Sequence, residues 1–318
     1  MIHRVQQMAY LDNPPWHGIG SRLERHQSLD VWAKQAGMNW KVLEAPVQFQ
    51  DKVGDGTPLI TFPEKKVLYR SDSKAALSVV SKRYNVVQPR EILEFYRDLT
   101  EVAGFELETA GVLKGGRKCW ALARTNQSAV IRGNDEVRGY LLLATACDGT
   151  LATVAKFTSV RVVCSNTLEV AIQGSGHGVK VPHSTSFDAQ AVKAELGFAL
   201  SSWDQFMYQM KQLSGRKMSS KEAEQFIHGV FDPDGGIEYE PTNFRAMKSV
   251  LNLFEGQGRG SELSSSKGTA FGLLNSVTEF VDHERRARNT DFRMDSAWFG
   301  PGAQLKGKAL DLALGLLA

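Results

Sequence analysis

The residue types able to carry covalent chemistry gather around one cysteine. Cys164 and Asn166, with His177 or His17, would supply a nucleophile, an orienting group and a base. Val162 and Val163 beside Cys164 argue instead for an apolar setting that disfavours the thiolate, so a slow-reacting thiol is expected. The seven histidines show no H-E-x-x-H or other paired ligand spacing, and the three cysteines make no C-x-x-C pair. Neither a Walker lysine motif nor a G-x-S-x-G elbow occurs, and Asp232-Pro233-Asp234-Gly235-Gly236 lacks the ligand ladder of a calcium loop. The expectation is no catalytic residue, no metal and no cofactor. An enzyme of unknown reaction built on Cys164 and His17, or an interaction protein directed at a host, is the alternative.

A second chemistry, phosphate neutralisation joined to base stacking, is carried by residues 111–164. Lys114, Arg117, Lys118, Arg124, Arg132, Arg138, Lys156 and Arg161 stand against Asp135, Glu136 and Asp148, a local balance of +5 in a chain of net charge +3. Single-stranded nucleic acids are held by such cations together with aromatic faces. The expected contacts are Lys114, Arg117, Lys118, Arg124, Lys156 and Arg161, the strand-end pair Lys82 and Arg83, and Trp120 with Tyr140 and Phe157 as stacking partners. The bland reading gives hairpin-tip cations the task of keeping an exposed sheet soluble and places Trp120 and Phe157 in the core. Further on, His283-Glu284-Arg285-Arg286-Ala287-Arg288 puts three arginines at a helix end, where they suit the helix dipole and can reach a phosphate backbone.

The elements that must position these residues follow from turn chemistry. Lys114-Gly115-Gly116-Arg117 joins a run from Phe105 to one ending at Arg124, and Asp148-Gly149 joins Tyr140–Cys147 to Thr150–Val163. Both turns need positive φ, so two hairpins are expected. After Arg161 the spacing of Val162, Val163, Asn166, Thr167, Val170 and Ala171 predicts a helix, giving a β-β-β-β-α core. Upstream, Ser28 caps a short helix over Leu29–Gln35 closed by Gly37, a meander runs from Trp40 to Tyr69, a strand runs from Leu77 to Pro89, and a helix covers Glu91–Val102. Asn13-Pro14-Pro15-Trp16-His17-Gly18 reads as a stiffened loop, and Gly174–Gly178 as an exit turn.

Beyond about residue 187 the pattern turns helical, over Asp188–Leu213, Ser219–Phe231, Pro241–Glu255, Lys267–Arg288 and Ala303–Leu317. Ser219 and Glu222 have capping-box spacing, and the Gly/Ser-rich stretch 256–268 is expected to be mobile. The fold class is thus α+β: a mainly antiparallel meander flanked by helices over 1–183, then a largely helical region over 184–318. At 318 residues, with 42% hydrophobic and 23% charged residues and no long apolar run, two modest soluble domains, no membrane span and a cytoplasmic setting are expected.

Several stretches resemble a family of phage- and plasmid-like proteins carrying Domain of Unknown Function 932. They are Pro15–Gly20, Arg83–Gln88, Thr109–Trp120, Thr158–Leu168 and Asp295–Gly300. The resemblance brings no catalytic residues; it implies a mobile genetic element in a bacterial host, where DNA is the favoured nucleic acid. The order of elements also resembles the core of single-strand annealing proteins of the Rad, Erf and Red-beta kind. That topology implies strand annealing or recombination by a homo-oligomer, although no motif of those proteins is matched.

Overall fold

The computed structural model describes residues 8–11, 20–51, 58–163, 166–169, 178–197, 202–232 and 244–317. Strands β1 (Met8–Leu11) and β2 (Ser21–Leu23) pair in parallel. Helix α1 (Leu29–Gln35) begins where the Ser28 hydroxyl accepts the Val31 amide, and the chain leaves it through Gly37 at φ 70°. Strands β3 (Val42–Phe49), β4 (Ile60–Arg70) and β5 (Ala76–Ser81) form a separate antiparallel sheet. The strand expected to reach Pro89 stops at Ser81. Pro89 instead opens helix α2 (Pro89–Ala103), which carries a Gln88–Glu91 capping box.

The larger sheet holds β6 (Glu106–Leu113), β7 (Lys118–Val130), β8 (Glu136–Ala146), β9 (Thr153–Arg161), β10 (Asn166–Glu169) and β11 (Val179–Val181). Its order is β10-β9-β8-β7-β6-β1-β2, with β11 also on β9, and every pairing apart from β1–β2 is antiparallel. Both expected hairpins form: Gly115 and Gly116 lie at φ 71° and 100° between β6 and β7, and Gly149 at φ 74° between β8 and β9. The helix expected after Arg161 is a correction. Asn166–Glu169 pairs with Thr158–Arg161 as β10, because Asn166, Thr167 and Leu168 bury side chains in the sheet's continuation while Val162 and Val163 are left exposed at the turn.

Helices α3 (Ala189–Gly197), α4 (Ser202–Gly215), α5 (Ser220–Phe231), α6 (Phe244–Asn252), α7 (Ala270–Glu279), α8 (Thr290–Phe299) and α9 (Pro301–Gly315) follow. The α5 capping box is present, with the Ser219 hydroxyl accepting the Glu222 amide and the Glu222 carboxylate accepting the Ser219 amide. α6 and α7 each run on into a wide π turn, Leu253–Gln257 and Phe280–Glu284. α7 is buried on every side, its polar Asn275, Ser276 and Thr278 side chains donating back to carbonyls of the helix itself. The Gly/Ser-rich stretch expected to be mobile is a pinned turn instead: Ser265 and Ser266 are buried and bonded to Asp135 and Arg161.

Two layers cover the larger sheet. Side chains alternate along a strand, so Trp120, Leu122, Leu142 and Lys156 share a face, and that face meets α8 and α9. The opposite face lies under α2, where the Tyr96 hydroxyl sits 2.9 Å from the carbonyl oxygens of both Ala121 and Leu141. One hydrophobic cluster runs from β1 through the sheet to α9.

Candidate nucleic-acid interface

Most of the cations expected to meet phosphate are held by carboxylates of the chain itself. Lys114 and Lys118 converge on Asp295, Lys114 at 2.5 Å, and the Lys114 amide donates to Asp291 at 3.2 Å. Asp291 and Asp295 are four residues apart on α8, hence on one helix face, and this face clamps the β6–β7 turn. Burial pushes the Asp291 carboxyl above its ordinary range, opposed by its bond to the Lys114 amide. Phe292 and Phe299 lie 5.3 and 5.5 Å from the two ammonium groups.

The other predicted residues are similarly engaged. Lys156 donates to Glu169 at 2.6 Å and to the Trp298 carbonyl at 3.2 Å. Arg161 is buried and forms a bidentate pair with Asp135 at 2.7 to 3.1 Å. Arg124 pairs with Glu106 at 2.5 Å. Trp120 is 0% exposed and packs edge-on against Trp298 at 4.9 Å, so it presents no face to a base. Tyr140 and Phe157 are buried as well; the Tyr140 hydroxyl donates to Glu108 at 2.9 Å, and desolvation holds that phenol above its ordinary range. Lys82, Arg83 and Arg117 are exposed, the remainder of the set in which the expectation of open cations holds. Lys118, Trp120 and Lys156 share one face of the sheet, and the sequence reading did not foresee that α8 and α9 cover it.

Of the covalent chemistry, Cys164, His17 and His177 lie outside the described residues. Asn166 is buried, donating to the Asn275 carbonyl at 3.2 Å with its oxygen 3.1 Å from the His283 ring. The described thiols, Cys119 and Cys147, are buried, and desolvation raises both, Cys147 to about 12. Among the described residues no cluster of metal-ligating side chains occurs.

A different concentration of cations stays open to solvent. α5, α6, the π turn after α7 and α9 enclose a groove of about 1060 Å³ lined by Arg245, Arg285, Arg286 and Lys308 against one acid, Glu284. Glu284 accepts from the Ser249 hydroxyl at 2.6 Å, and among the described residues none of the four cations is in an ion pair. The groove is therefore a site of uncompensated charge, +3 over its lining residues. Phe231 and Phe280, edge to face at 5.7 Å, form its floor, and Phe244 stands at its rim with 57% of its surface exposed. Arg285 is oriented by the Ser296 hydroxyl, 3.3 Å from its guanidinium, while Arg286 is exposed.

Sequence reasoning had singled out the arginines of the segment after α7. It missed Phe244-Arg245 and Lys308, which stand on separate helices with no linking motif. It also left α8 unassigned, although Asn289, whose side chain accepts the Phe292 amide, and the Gly300-Pro301 break mark its two ends. The family model described as "Domain of unknown function (DUF932)" matches residues 76–298, from β5 almost to the end of α8. No curated protein and no solved structure matches the chain.

Proposed function

The chain belongs to the Domain of unknown function (DUF932) family, and we propose that it binds single-stranded nucleic acid without catalysis, in the groove between α5, α6 and α9. The observation that carries this reading is the set of four cations, Arg245, Arg285, Arg286 and Lys308, that have no ion pair among the described residues and gather around exposed Phe244. A single strand needs a row of positive charge for its backbone and an aromatic face for a base, and no sequence preference follows from either. The open groove offers both. The sheet, whose cations are mostly paired within the chain, offers neither in the described state.

Fluorescence anisotropy of a labelled 20-mer over a salt series tests this reading. Four phosphate contacts give a log–log slope of about −2.8 for a single strand. Binding absent at low salt, or a slope untouched by removal of Arg285 and Arg286, would sink it. Strand annealing for a mobile element, with DNA as the strand and a homo-oligomer as the active form, is the pathway context of this proposal. Light scattering with and without oligonucleotide reads the oligomer directly.

A further inference from the structure

Lys306 lies on α9 and is 5% exposed. Its ammonium group donates to the Thr167 hydroxyl at 2.7 Å and to Asp282 at 2.8 Å, while Thr167 donates its amide and hydroxyl to the other oxygen of Asp282. A buried lysine is ordinarily explained by such a pair, but here it also borders a cavity of about 620 Å³ between the sheet and helices α8 and α9, within the size range of small-molecule sites. Desolvation lowers the affinity of Lys306 for its proton, and Asp282 opposes that effect.

Three features of the cavity point to an occupant. Trp298 lines it with its ring and is 8% exposed; its indole N–H is sealed from solvent and has no hydrogen-bond partner among the described residues, so a small shift of the ring toward the cavity would give it an acceptor there. Lys156, Lys180, Lys306 and Lys308 border it against Glu169 and Asp311, and with Asp282 behind Lys306 the balance is +1. Leu122, Leu142, Val154 and Leu168 give it an apolar floor.

Two glycines of α9 sharpen the case. A Cβ at Gly302 would meet the Ser296 carbonyl oxygen at 2.8 Å and Val281 at 2.9 Å, so packing demands that glycine. A Cβ at Gly307 would meet nothing within 4 Å, and Gly307 borders the cavity. Glycine within a helix is destabilising relative to alanine; no neighbour requires it at 307, and what its missing side chain does is leave the cavity open.

We propose that this cavity binds a small monoanionic organic acid with an apolar body, its acid group received by Lys306 and, on a shift of the ring, by the Trp298 N–H, and its body laid on the leucine floor. The cavity shares Gln304 and Lys308 with the wall of the nucleic-acid groove, but Lys306, Trp298 and Gly307 do not line that groove, and the assignment does not depend on that reading.

Calorimetric titration of the full chain with decanoate and with naphthalene-2-carboxylate, beside decanol and decylammonium, tests it. The expected result is one-to-one binding of at least one acid and weaker binding of decanol and decylammonium. Gly307→Leu, which extends a side chain into the open space, should weaken the acid at least about tenfold while the melting temperature stays level or rises. Trp298→Phe, which keeps the ring and removes the N–H, should weaken it by a smaller factor. Binding of neither acid, equal binding of the neutral alcohol, or an unchanged affinity in folded Gly307→Leu overturns the proposal. Arg285→Ala with Arg286→Ala should leave acid binding unchanged, and Gly307→Leu should leave oligonucleotide binding unchanged, so the two sites succeed or fail separately.

Discussion

The β6–β7 turn and the groove beside α9 are both rich in cations, and they differ in where their counter-charges come from. Lys114 and Lys118 are only four residues apart in the chain, and their carboxylates, Asp291 and Asp295, arrive from α8 nearly two hundred residues later. Arg245, Arg285, Arg286 and Lys308 come from three separate segments, and the one acid among them is bonded to a serine. A local excess of positive charge in a sequence therefore marks two different things: a surface for an external anion, or one half of an internal interface. Burial decides between them, and burial depends on residues far away in the chain. An exposed pair contributes little to stability, whereas a buried cation stripped of its partner is strongly destabilising.

The largest expected effect lies on the sheet side. Asp135→Ala should destabilise the fold by roughly 3–5 kcal/mol, because Arg161 would be left buried with its bidentate partner gone. Urea unfolding measures it, and a loss under 1 kcal/mol would show that Arg161 can turn outward and that the sheet cations are available after all.

On the groove side, Phe244→Ala should weaken oligonucleotide binding by about 1–3 kcal/mol with stability retained, since its ring is mostly in solvent. An unchanged anisotropy titration would remove stacking from the groove. Next in size, Arg285→Ala with Arg286→Ala should flatten the salt slope by about 1.4, and Lys82→Ala with Arg83→Ala should leave it alone. The reverse pattern would return the interface to the sheet end of the molecule.

The smallest effect is a pH dependence at the clamp. Burial raises the Asp291 carboxyl above its unfolded value, so at pH between the two values the folded state holds more protons than the unfolded one, and stability falls as pH rises through that window. Asp291→Asn keeps an acceptor for the Lys114 amide and abolishes the titration. Its melting temperature should gain on the parent between pH 4 and pH 7; parallel curves would mean that the Lys114 contact fully offsets the burial.

What was legible in the sequence was whatever local chemistry determines. Gly115, Gly116 and Gly149 fix turns through their own φ angles, and Ser28 and Ser219 cap helices through their own hydroxyls. Residues 162–169 misled because a short stretch of β-branched and polar residues satisfies helical spacing and strand pairing alike, and β9 as a neighbour settles it. The Gly/Ser-rich turn looked free because nothing within it shows that Ser265 and Ser266 meet Asp135 and Arg161. The sheet cations were read as a site for the same reason: their partners are distant in sequence. For the groove, the Arg285–Arg286 pair was visible as a local cluster, and Phe244 and Lys308 could be joined to it only by the packing of α6 and α9.

The α8 clamp also sets an order of events during synthesis. Asp291 and Asp295 follow Lys114 by 177 and 181 residues, and at roughly 5–20 residues per second they are made about 10–35 s after it. The β6 to β9 hairpins are local and close within that interval. A nascent chain therefore displays the turn's positive charge to its surroundings, the ribosome's own polyanionic surface included, until α8 is added and neutralises it. On ribosomes stalled with residue 288 just outside the exit tunnel, added salt should loosen the contact between chain and ribosome surface more than it does when a C-terminal extension has carried α8 and α9 out of the tunnel.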